Sequence, residues 1–105
     1  MSVAALPITP DFVDYESISV AGTPVQLTAL KVQPAGKRKR RGAVIRIMTN
    51  ECRYRMDPGA SALTNVTGLV VAAGGEFTVD GANNLSQLYM IATSTAGTAL
   101  VHYYD

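Results

Sequence analysis

Ala43-Val44-Ile45-Arg46-Ile47-Met48-Thr49 alternates its side chains: Ile45 and Ile47 fall on one face, Val44, Arg46 and Met48 on the other. That two-residue period is the mark of a β-strand with one buried face. Thr49-Asn50-Glu51 turns the chain, and Cys52-Arg53-Tyr54-Arg55-Met56 gives a second, shorter strand with Arg53 and Arg55 on one face. Asp57-Pro58-Gly59 ends it, because Pro at the second and Gly at the third turn position predict a type II turn.

The same pattern of short Val-, Ile-, Thr- and Tyr-rich runs broken by Gly, Pro and Asn extends in both directions. Upstream, Glu16, Ile18 and Val20 alternate with Tyr15, Ser17 and Ser19, and Ala21-Gly22-Thr23-Pro24 makes a turn. Val25 and Leu27 keep the period, but Leu30 and Val32 resume it out of phase, which predicts a bulge or break near Ala29. Residues 1–11 read as an extended arm, since Pro7 and Pro10 disfavour helix at their own and the preceding positions. Downstream, a polar loop runs through Asn65. Leu69-Val70-Val71 and Phe77-Thr78-Val79 flank Gly74-Gly75, either as a hairpin or as a corner where the chain changes sheet. Gln87 to Thr93 and Thr98 to Tyr104 are the last strands, with Ser94-Thr95-Ala96-Gly97 predicted to join them as a hairpin. Roughly seven or eight strands on about ninety residues is the density of a two-sheet antiparallel β-sandwich. The chain thus divides into an arm, 1–11, and a single all-β domain, 12–105.

The 105 residues are 48% hydrophobic and 16% charged, which excludes a disordered composition. All nine lysines and arginines fall between Lys31 and Arg55, five of them in the unbroken run Lys37-Arg38-Lys39-Arg40-Arg41. The flanks carry only acids: Asp11, Asp14 and Glu16 before, Asp57, Glu76, Asp80 and Asp105 after. The near-neutral total of +1 therefore hides a strong charge asymmetry, and the run between Gly36 and Gly42 is expected to be a loop, either a solvated tip between strands or one that docks on an anionic partner. An acidic protein surface is favoured over nucleic acid because no aromatic residue accompanies the run as a base-stacking platform. No secretory leader or membrane span is predicted.

Little in the sequence points to catalysis. Cys52 is the only cysteine and His102 the only histidine, fifty positions apart and without a nucleophile-turn motif; they read as a buried thiol and a half-exposed strand histidine. A protein-only zinc site needs more ligands than these, and no phosphate-binding or dinucleotide fingerprint occurs. No cofactor, metal or enzymatic activity is expected. Asp57 and Asp80, each close to glycine, are turn residues. Asn65-Val66-Thr67 and Asn84-Leu85-Ser86 match the glycosylation acceptor pattern and read as loop chemistry. Arg53, Tyr54, Arg55 and Asp57 suit structural carboxylate pairing or cation–π stacking. Tyr103 and Tyr104 point to opposite faces, one to the core and one to solvent or a partner.

Gly42-Ala43-Val44-Ile45-Arg46-Ile47, Arg53-Tyr54-Arg55-Met56-Asp57, Thr67-Gly68-Leu69, Gly74-Gly75-Glu76-Phe77, Leu88-Tyr89-Met90-Ile91-Ala92 and Ala99-Leu100-Val101-His102-Tyr103-Tyr104 together make the stretch from Ala43 to Tyr104 resemble a group of small virion proteins of tailed bacteriophages. That group usually reads Arg-Tyr-x-x-Asp-Gly followed by Pro-Thr, whereas this chain reads Asp57-Pro58-Gly59 and has no Pro-Thr before Thr64. The resemblance implies a jelly-roll-like sandwich that decorates or cements a capsid, bridging neighbouring copies of the major capsid protein as a homo-oligomer, dimer or trimer, without an active site. It implies a virion location on the capsid surface after synthesis in the host cytoplasm, and no membrane partner. The run Lys37 to Arg41 and the arm are the expected docking elements. Two other functions are compatible with the sequence: a nucleic-acid-binding module using the same loop, and a tail or fibre component whose Tyr54, Tyr89 or Tyr104 stacks on host glycans.

Overall fold

The structure, a computed structural model, describes residues 12–105; the predicted arm lies outside the described residues. Eight strands are present: β1 Phe12–Val20, β2 Val25–Gln26, β3 Gly42–Thr49, β4 Cys52–Met56, β5 Leu69–Val71, β6 Glu76–Asp80, β7 Leu88–Ala92 and β8 Gly97–Tyr104. They form two four-stranded antiparallel sheets, ordered β1-β8-β3-β6 and β2-β7-β4-β5. The fold is the all-β sandwich that the alternation predicts. Its pairing is nested: β1 with β8, β2 with β7, β3 with β6 and β4 with β5. A two-stranded ribbon doubled between β4 and β5, then rolled so that β3 meets β8 and β4 meets β7, has this connectivity.

Period-two patterning builds the core between the sheets. Ile18, Val20, Ala43, Ile45, Ile47, Val79, Ala99, Val101 and Tyr103 point inward from one sheet and meet Cys52, Leu88, Met90 and Ala92 from the other. Tyr54 of β4 and Phe77 of β6 stack between the sheets with ring centroids 3.9 Å apart, filling the β5–β6 end. Ile45 and Ile47 are buried, while Arg46 and Met48 face outward as their alternation requires.

Several local expectations need correction. Residues 94–97 are not a hairpin, because β7 and β8 lie in different sheets. The long strands β1, β3 and β8 satisfy one another's backbone over nine, eight and eight residues, while the five-residue β7 pairs with the five-residue β4. Gly74-Gly75 is the corner of the two open alternatives, with the Gly74 N–H donating to the Ile47 carbonyl at 2.6 Å. The break near Ala29 is one helical turn, α1 Ala29–Val32, which lets both Leu27 and Val32 enter the core and leaves Leu30 outside. A second helix, α2 Ala82–Gln87, occupies a stretch read as loop. Its composition is weakly helical, and burial of Leu85 together with the turn at Gly81 (φ 103°) places it.

Asp57-Pro58-Gly59 forms a type I rather than a type II turn: Gly59 has φ −96° and ψ 10°, and the Ala60 N–H donates to the Asp57 carbonyl at 3.0 Å. The Asp57 carboxylate accepts the Gly59 N–H at 2.9 Å, which holds the glycine in that conformation and leads into the 3-10 turn Ala60–Ala62. Tyr104 also departs from expectation. It points away from Tyr103, yet both are buried. The outward ring lies across Gly42, where an added Cβ would stand 2.4 Å from the Tyr104 hydroxyl.

Candidate functional site

Register fixes where the basic loop sits. Gly42 is level with Tyr104 and with Asp80, so the segment before β3 emerges at the end of the sheet where β8 and β6 also finish. Gly36 (φ 73°) and the Lys37 N–H bond to the Pro34 carbonyl at 3.0 Å turn the chain into the run. Lys37 to Arg41, with Asp105, line a depression of about 470 Å³. The structure therefore gathers all five predicted docking residues around one concave surface.

They are not equivalent. The Arg40 N–H donates to the Val32 carbonyl at 2.7 Å, and its guanidinium meets the Asp105 carboxylate at 2.9 Å with the side chain only 15% exposed. Arg41 is fixed by its backbone, donating to the Tyr104 carbonyl at 3.2 Å and accepting from Gly81 at 2.7 Å, while its guanidinium lies 3.7 Å from Asp80. Lys37, Arg38 and Lys39 are exposed and pair with no carboxylate among the described residues. Two cations thus anchor the loop, and three remain for a partner. Lys31, before the run, is held by Asp14 at 3.0 Å, and this contact keeps the Asp14 carboxyl below its usual range. Asp105 and Asp80 as neutralising partners have no signal in the sequence, because they come from distant strand ends.

The base of the loop carries a pH-sensitive contact. The Tyr104 hydroxyl donates to Asp80 at 2.7 Å, and burial followed by this bond pushes the phenol up to about 12. Tyr103, buried and donating to Glu16, is pushed up as well. A phenol that gives up its proton less readily in the fold than in the unfolded chain stabilises fully below its unfolded value of about 10 and loses that contribution as pH rises through its folded value. The unfolding temperature of the wild type is expected to fall steeply above about pH 10, with a shallower fall for Tyr104→Phe. Thermal denaturation followed by circular dichroism across that range checks this; parallel profiles would contradict it.

The predicted structural residues lie on and beside β4. Arg53 donates from Nε to the Asn65 carbonyl at 3.1 Å and from Nη1 to the Gly68 carbonyl at 3.0 Å, pinning the loop before β5. Arg55 pairs with Asp57 at 2.8 Å, and its guanidinium holds the Asp57 carboxyl below the usual range. Tyr104 is buried and offers no free ring face to a glycan, while Tyr54 has one face against Phe77 and is half-buried. The Cys52 thiol is buried among core side chains, and that burial, with the neighbouring Glu51 carboxylate, raises it to about 11. His102 instead stacks on Tyr15 with centroids 5.9 Å apart, on the outer side of its sheet. The thiol and imidazole therefore form no catalytic pair. Among the described residues no group of three or more His, Cys, Asp or Glu is placed to hold a metal ion, and no helix is long and apolar enough to cross a membrane.

Comparison with protein-family models, with curated proteins and with solved structures finds no match to this chain.

Proposed function

We propose that the chain is a jelly-roll virion protein of a tailed bacteriophage. Its role in this reading is non-enzymatic: it decorates the capsid surface and stabilises the shell by bridging neighbouring copies of the major capsid protein. The nested strand order β1-β8-β3-β6 over β2-β7-β4-β5 carries the reading. Eight strands arranged as a rolled ribbon are the jelly-roll pattern, which recurs in viral capsid domains. The resemblance of residues 43–104 to phage virion proteins supports the same class. Docking falls to Lys37, Arg38 and Lys39, whose charge is not spent within the described fold, with Arg40 and Arg41 presenting them. Residues 1–11 are the second docking element. Individual contacts need only be weak, because many copies on a symmetric shell supply avidity.

Adding the purified protein to shells that lack it tests this. Wild type is expected to co-sediment with shells at low salt and to be released as salt screens the loop. The triple variant Lys37→Ser/Arg38→Ser/Lys39→Ser, which keeps both anchoring ion pairs, should lose most of that binding; equal binding by the variant would overturn the role of the loop. The same three cations, unpaired among the described residues, also favour a second reading, phosphate-backbone binding to nucleic acid. Micromolar affinity for duplex DNA with a steep salt slope would support it.

A further inference from the structure

We infer that the β5 end of the sandwich is a two-fold interface with a second copy of this chain. A sandwich leaves four strand edges with unpaired backbone groups, each a template for pairing unless it is blocked. Three are blocked or too short. β1 has a register shift between Phe12 and Asp14, an ion pair from Asp14 to Lys31, and Glu16 engaged by the Thr28 N–H and hydroxyl. β2 is two residues long, and β6 begins and ends on carboxylates, Glu76 and Asp80.

β5, three residues long, carries no bulge, ion pair or terminal carboxylate. It reads Leu69-Val70-Val71, and the chain from Pro58 to Gly75 contains no charged side chain. Val66, Leu69 and Val70 are nevertheless 74%, 62% and 49% exposed. Fixing their position is Arg53, whose guanidinium bonds to the Asn65 and Gly68 carbonyls on either side of Val66. Exposed apolar side chains held in place from beneath lose little entropy on being covered.

The occupant follows from charge and shape. A strongly acidic or basic partner would find nothing of opposite sign on this segment. A second copy brings the same neutral edge, so a two-fold contact sets uncharged apolar surface against its own equivalent. Beside the protruding Val66 and Leu69 runs a groove of about 470 Å³ lined by Tyr54, Met56, Thr67 and Leu69, with the mutually neutralised Arg55 and Asp57 along one wall. Under a two-fold axis through the β5 edge, the protruding side chains of each copy enter the other's groove, and the β5 strands pair antiparallel to join two sheets into one.

Sedimentation velocity over a range of micromolar concentrations tests this independently of any capsid. Wild type is expected to be a dimer, Leu69→Lys to weaken self-association at least about tenfold, and Tyr15→Lys, equally exposed but on β1, to leave the dimer intact. Far-UV circular dichroism matching wild type verifies that each variant is folded. A wild type that stays monomeric or forms a species other than a dimer, a Leu69→Lys protein as dimeric as wild type, or loss of the dimer in Tyr15→Lys would each overturn the inference.

Discussion

Replacing Ile45 by alanine is expected to lower the unfolding free energy by about 2–5 kcal/mol, the cost of deleting a buried aliphatic side chain where the surroundings relax only partly. Ile45 is fully buried in β3, level with Val101 of β8 and Phe77 of β6, so strands on both sides hold its walls in place. A domain of this size has a total stability of only about 5–15 kcal/mol, so the variant loses a large share of it. Met48→Ala, on the exposed side of the same strand, should change stability by no more than about 0.5 kcal/mol. Urea denaturation of the two variants measures the difference. Similar midpoints would contradict the assignment of inward and outward faces on β3.

Gly97→Ala should be at least as damaging, through a different mechanism. A Cβ at position 97 would stand 1.9 Å from the Thr49 carbonyl oxygen and 2.9 Å from its carbon, both backbone atoms. The strand cannot move aside locally. Thr98 N–H donates to the Thr49 hydroxyl at 3.0 Å, Asn50 donates to the Ala96 carbonyl at 2.8 Å, and Gly97 is paired with Val20 of β1. Overpacking typically costs about 1–3 kcal/mol and more where rigid atoms meet, so a loss of about 3 kcal/mol or more is expected, seen as a lowered unfolding temperature or as failure to accumulate folded protein. Gly22→Ala, where a Cβ meets nothing within 4 Å, should be neutral or slightly stabilising. If Gly97→Ala unfolds at the wild-type temperature, the close crossing of the 49–51 and 93–97 corners is wrong.

These two residues also mark what the sequence could and could not reveal. Ile45 is legible because alternation is a local property: strand direction, inner face and fold class follow from side chains two positions apart. Gly97 is not, since its need for a bare Cα arises from Thr49, whose approach depends on which strands pair. The same limit explains the expected hairpin at 94–97, where a turn signal is common to hairpins and sheet-changing corners. It also explains Tyr104, whose burial requires Gly42 beneath its ring and Asp80 at its hydroxyl. For α2, weak local propensity was outweighed by the burial of a single leucine.

The candidate site was legible in part. Five adjacent cations between glycines marked a loop, but not that Asp105 would pair with Arg40, that the Arg41 backbone would bond to Tyr104 and Gly81, and that Lys37, Arg38 and Lys39 would be left without partners among the described residues. Exposure of Val66, Leu69 and Val70 was hidden for a similar reason, because an apolar run looks alike on a central and on an edge strand.

Imaging shells by electron cryo-microscopy after adding the purified protein shows whether it bridges capsid subunits. Sandwich-shaped density is expected on the outer surface across boundaries between major capsid subunits, with the Lys37–Arg41 loop turned toward the shell. Shells that stay bare, or density confined to the tail, would contradict it.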